Sequence, residues 1–253
     1  MVLFGADGYP KITFSFEAGS EPCATCLTPE GCLAVTLKRQ GCVALWSTSG
    51  EPVTEFGHTV LSGPTGIQCD RHGRFIVADE QANSVFIFSN EGQLLTKLAP
   101  PTLDTAAQGS SSPLSQIQTS SFLNSYHNSF NQPRYVCLTH TGNYVISDSA
   151  NHCIKIFDQD MQLSSQFGSY GQRDGCFKFP YGVASDAEGN LYVADHFNNR
   201  VSMFSGEGEF IQHLLTLQDG IARPKSIAVC RSLLYVTHGD IRSNKVSVFA
   251  LKS

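Results

Sequence analysis

The chain has 253 residues, 41% hydrophobic and 15% charged, with a formal net charge of −5. That length suits one large all-β domain or two ordinary ones, and the apolar content is enough for a core, which excludes global disorder. The acidic balance argues against broad attraction to nucleic acid or anionic lipid, although a local basic patch remains compatible with it.

The N-terminus, MVLFGADGYP, lacks the charged region and long apolar run of a secretory signal. Residues 11–19, KITFSFEAG, read as an orphan strand ahead of the first regular unit. The nine cysteines are an odd set scattered through apparent strands, which fits free thiols in a reducing compartment better than a disulfide framework. Cys23 and Cys26 form a CATC pair, but a second pair at zinc-finger spacing is missing. His58, His72, His127, His140, His213 and His238 read as isolated surface residues. No metal or cofactor is expected. No stretch approaches the ~20 apolar residues of a membrane span. The expected location is cytoplasmic.

From Pro22 onward the chain repeats. Residues 22–31, 64–73, 133–142 and 180–189 each open on proline and close on glycine nine positions later, and a fifth unit opens at Pro224 without the glycine. A short strand follows each proline: CATCL, TGIQC, RYVCL, YGVAS, KSIAV. A tight turn (PEG, RHG, HTG, AEG) leads to a second strand such as FIVAD or LYVAD. A third reads VALWS, VFIFS, IKIFD, VSMFS, VSVFA, and a weaker fourth ends the unit. Five-residue lengths, β-branched content and period-two alternation specify strands. A four-stranded unit cannot bury both faces alone, and radial stacking of such units makes a β-propeller.

The count predicts five blades, with six as the alternative, in a single domain spanning residues 1–253. The fifth unit stops after its third strand, so the orphan N-terminal strand is expected to complete that blade and close the ring. The second and third prolines are 69 residues apart against 42, 47 and 44 elsewhere, which places a low-complexity loop at about 99–132. Asp79, Asp148 and Asp195 each lie fifteen positions after their proline. Identical placement in three units fits backbone bonding in turns better than catalysis. Trp46 falls where other units have Phe88, Phe157, Phe204 and Phe249, a position expected to pack between blades.

FPYGVASDAEGNLYVADHFNNRVSMFSGEGEF resembles a well-formed NHL repeat, and the units at Pro64 and Pro133 resemble it closely. The resemblance covers roughly residues 20–98 and 131–250 and is nearest to the NHL domains that end tripartite-motif (TRIM) ubiquitin ligases. It implies a non-catalytic module that binds a protein substrate, with single-stranded or stem-loop RNA as the alternative. A RING would lie elsewhere in such a ligase, since no cysteine–histidine set here has RING or B-box spacing. A metal-dependent propeller hydrolase or lyase is the remaining alternative, and it needs acidic or histidine ligands at inward positions of several blades.

The ligand-binding face is expected at one end of the ring, where the residues after each proline and the loops after each second strand converge. Its candidates are Arg134, Tyr181, Lys225, His196, Arg200, Lys245, Lys38 and Arg39. Arginine and lysine contact phosphate or carboxylate, and tyrosine or histidine stacks on an exposed ring. RNA binding requires that these cations cluster without an intervening carboxylate.

Overall fold

The computed structural model describes residues 1–4, 9–98, 129–240 and 244–251. Most of the loop expected at 99–132 lies outside them. Four sheets carry four antiparallel strands each, in chain order. Blade 1 is β3 (Pro22–Leu27), β4 (Leu33–Leu37), β5 (Cys42–Trp46) and β6 (Pro52–Phe56). Blade 2 is β7 (Pro64–Cys69), β8 (Phe75–Asp79), β9 (Ser84–Phe88) and β10 (Leu94–Leu98). Blade 3 runs from β11 (Pro133–Leu138) through β12 (Tyr144–Asp148) and β13 (Cys153–Phe157) to β14 (Leu163–Phe167). Blade 4 runs from β15 (Pro180–Ser185) through β16 (Leu191–Asp195) and β17 (Arg200–Phe204) to β18 (Phe210–Leu215). Blade 5 has three described strands, β19 (Ile227–Cys230), β20 (Leu233–Gly239) and β21 (Asn244–Ala250). The architecture is the five-bladed β-propeller that the repeat predicts.

Alternating side chains of one strand serve two neighbours. Phe75 and Val77 of β8 pack toward blade 1 with Cys26, Ala34 and Val43, while Ile76 packs toward blade 3 with Tyr144 and Ile146. A sheet buried on both faces has no polar face to show, which is why these strands are apolar almost throughout. The inner strands meet backbone to backbone: a Cβ on Gly66 would stand 2.5 Å from the Arg134 carbonyl oxygen, and one on Gly182 would stand 2.5 Å from that of Lys225.

The N-terminal strand corrects one expectation. β2 (Pro10–Thr13) does not join blade 5; it pairs with β1 (Val2–Phe4) as a separate two-stranded sheet. A hairpin partner a few residues away costs far less loop closure than one at the other end of the chain. The following residues then cover blade 1, with Phe14 and Phe16 edge-on to Trp46 at 5.8 and 5.5 Å.

The repeated aspartates organise one end of the ring. Asp79, fully buried, accepts backbone N–H bonds from Ser62 and Gly63 before the blade and from Gln81 and Ala82 in the turn after β8. Asp148 accepts from the Asn131 amide and Asp195 from that of Lys178, both at 2.7 Å. Another side-chain bond crosses the three junctions from blade 2 to blade 5. Asn83, His152 and Asn199 sit at equivalent left-handed turn positions, with φ of 47°, 56° and 55°. Their side chains accept the amides of Gln132, Phe179 and Arg223, each the residue before the next blade's proline.

Candidate recognition face

Inner-strand starts and second-strand ends lie at the same end of each sheet, since Pro64 pairs with Asp79, Pro133 with Asp148 and Pro180 with Asp195. This brings Lys38, Arg134, Tyr181, His196 and Lys225 to one end of the ring, where Lys225 also lines the axial cavity. Glu80 of blade 2 forms ion pairs with both Lys38 of blade 1 and Arg134 of blade 3. Burial disfavours the Lys38 ammonium, but the Glu80 carboxylate outweighs it and its pKa is raised. The Arg134 guanidinium lies 4.3 Å over the Tyr181 ring, and Tyr181 stacks flat on His196 at 4.1 Å and 4°. Arg134 Nε is buried without a hydrogen-bond partner among the described residues.

His196 Nδ1 lies 3.0 Å from the Pro224 carbonyl, so that nitrogen carries the proton. Burial, aided by the charges of Lys225, Arg134 and Arg223, holds its pKa below the usual histidine value. Lys225 Nζ reaches Asn244 Oδ1 at 3.5 Å.

Three expected residues stand apart. Arg200 is buried, paired with Asp195 at 2.9 Å, and donates to the carbonyls of Gln172, Arg173 and Cys176. Its guanidinium is occupied in tying down the segment ahead of blade 4, so it is not available to a ligand. Arg39 pairs with Glu21 on an exposed edge, a contact of little energetic weight. Lys245 is exposed on β21 opposite His238.

The structure adds an aromatic track that sequence reasoning did not single out. Tyr170 contacts His152 (4.9 Å), His152 contacts Phe179 (4.5 Å), Phe179 contacts Phe197 (5.3 Å), and Phe197 contacts His196 (4.8 Å). Through His196 the track joins the Tyr181–Arg134 stack. Tyr170 is 65% and Phe197 49% exposed. The signal for Phe197 was present: the corresponding turn positions in blades 2 and 3 hold Gln81 and Ala150.

The axial cavity, about 790 Å³, is lined by the five inner strands. Its described lining holds no carboxylate and a single imidazole, that of His238, which is hydrogen-bonded to Ser247. Cys23 and Cys137 also line it, but the described lining lacks the acidic or histidine ligands from several blades that the metal-dependent hydrolase or lyase reading requires.

Residues 130–157, the first three strands of blade 3, match the family model for the NHL repeat. The chain is a five-bladed β-propeller that carries an NHL repeat. Over 52 residues it is 40% identical to the B-box type zinc finger protein ncl-1 of Caenorhabditis elegans and likewise to Protein brain tumor of Drosophila melanogaster. Those matches cover 21% of this chain and only 6% and 5% of the two relatives. Among solved structures, a chain of a nidogen/laminin complex superposes with a TM-score of 0.71 at 17% identity, covering 99% of this chain and 84% of that chain. A virginiamycin B lyase from Staphylococcus aureus gives 0.65 at 14% identity, covering 99% and 76%. At such identities the likeness concerns the fold alone. No helix among the described residues is long and apolar enough to cross a membrane.

Proposed function

We propose that the NHL propeller is a non-catalytic recognition module that binds a protein segment across the aromatic track, from Tyr170 to Arg134. The observation that carries this reading is the track itself: half-exposed aromatic rings leading to an arginine are the anchors that protein interfaces favour. Glu80 works in the same direction. It neutralises the two cations nearest to it, which weakens the field a phosphate backbone needs. The B-box named in one relative fits a parent protein in which this propeller reads substrates for a RING-type ubiquitin ligase, the propeller itself performing no transfer.

RNA is the second reading, favoured by one feature: stacked rings beside Arg134 and Lys225 also suit unpaired bases. Selection from a random peptide library, in parallel with a salt titration on a U-rich single strand, tests both. The expected result is a peptide consensus whose binding is lost in Phe197→Ala and Arg134→Ala. Tight RNA binding that falls steeply with salt, without any peptide consensus, overturns the protein reading.

A further inference from the structure

His58 reads in the sequence as an isolated surface residue and Cys42 as one more strand position, yet the fold brings both to Glu55. The Cys42 thiol sulfur, a Glu55 carboxylate oxygen and a His58 ring nitrogen all lie within 4.8 Å of one another. His58 Nε2 is 3.2 Å from Glu55 Oε2. We propose that Cys42, Glu55 and His58 bind a divalent transition-metal ion of the zinc type, leaving the fourth tetrahedral position open.

The donor set selects the metal. Sulfur, imidazole and carboxylate are the three zinc ligands of proteins, whereas calcium and magnesium take oxygen. Zinc–ligand bonds of about 2.0–2.3 Å put tetrahedral donors about 3.3–3.6 Å apart, so small side-chain rotations complete the site. Charge balances as well: binding releases the Cys42 thiol proton to solvent, and thiolate plus carboxylate neutralise the dication.

The backbone holds the donors in place. Ala44 of β5 pairs with Glu55 of β6, and Val43 pairs with Phe56, so Cys42 and Glu55 project from the same face of neighbouring strands. Phe56 points the other way and is held 5.1 Å from both Phe75 and Phe88. His58 sits in a turn closed by the Val60 and Leu61 amides on the Gly57 carbonyl, each at 2.8 Å. Gly41, beside Cys42, lets that turn approach: a Cβ there would stand 2.7 Å from the Leu61 carbonyl oxygen. An exposed Glu55–His58 ion pair is an ordinary surface feature. The fully buried sulfur at its base is what makes the cluster a ligand set.

The test is titration of chelator-treated protein with Zn²⁺ by calorimetry and with Co²⁺ by absorption spectroscopy. One ion per chain is expected, with a thiolate-to-cobalt charge-transfer band and a melting temperature that rises with added Zn²⁺. Cys42→Ser and His58→Ala should each weaken binding at least about tenfold and remove the Zn²⁺-dependent rise in melting temperature. His58 is half exposed in a turn, so His58→Ala keeps the fold even if the core substitution does not. Ions held by the other eight cysteines would bind His58→Ala as tightly as the unsubstituted chain. That result, a cobalt spectrum without the charge-transfer band, or the lack of any saturable binding would overturn the site.

Discussion

Arg134 stacks its guanidinium on Tyr181 while its Nη1 pairs with Glu80, so one side chain from blade 3 joins an acid on blade 2 to a ring on blade 4. The carboxylate decides what this face attracts. Glu80→Gln removes the negative charge between Lys38 and Arg134 and should raise affinity for a U-rich single strand, with a steeper dependence on salt. An unchanged slope in a filter-binding titration at several salt concentrations would show that these two cations do not face the ligand.

Phe204 is buried where four aromatic rings meet, with Phe167 at 5.0 Å, Phe177 at 5.3 Å and Phe210 at 5.7 Å. Phe204→Ala should cost about 3–5 kcal/mol in urea unfolding, the range for emptying a packed aromatic site. Trp46 holds the same position in blade 1 but packs against Phe14 and Phe16 of the N-terminal segment, whose removal should expose the indole and shift its fluorescence to the red.

The strands, the aspartate roles and the shared end of inner-strand starts and second-strand ends were legible because each follows from spacing within one unit. What lay outside a unit was not. Tyr170 and Phe179 come from the stretch between blades 3 and 4 and Phe197 from a turn within blade 4, and only the ring brings them into line. Arg200 shows the converse difficulty. A basic residue after a turn reads the same whether it reaches solvent or folds back onto Asp195, and burial alone distinguishes the two. The N-terminal hairpin was missed for a similar reason: residues 2–4 are too few for a period-two pattern to declare a strand.

Asp79 accepts four backbone N–H groups from two loops and has no exposed surface. Asp79→Ala leaves those donors without a partner, and about 2–4 kcal/mol of stability should be lost. Hydrogen exchange should localise the change to residues 62–63 and 81–82 before any global loss. Uniform protection across blade 2 would mean that water replaces the carboxylate.

The junction between blades 3 and 4 differs from its neighbours in one atom type, and that difference makes it sensitive to pH. Asn83 and Asn199 cross their junctions with an amide oxygen, which does not titrate near neutrality; His152 crosses with Nδ1, which accepts the Phe179 amide only while unprotonated. Burial, opposed by the charges of Asp195 and Asp148, holds the His152 pKa below 6.5. The unfolded chain therefore binds this proton more readily than the folded one. The contribution is complete above pH ~6.5 and declines as pH falls from there toward the lower folded value. His152→Asn copies what the adjoining junctions already use. At pH 7.5 it should change stability by no more than about 1 kcal/mol, the scale of one hydrogen bond and the ring contacts to Tyr170 and Phe179. Between pH 7 and 5 its stability should fall less steeply than that of the unsubstituted chain. Equal slopes in denaturant titrations across that range would place the acid sensitivity on His196, His213 or His238, whose pKa values burial also lowers.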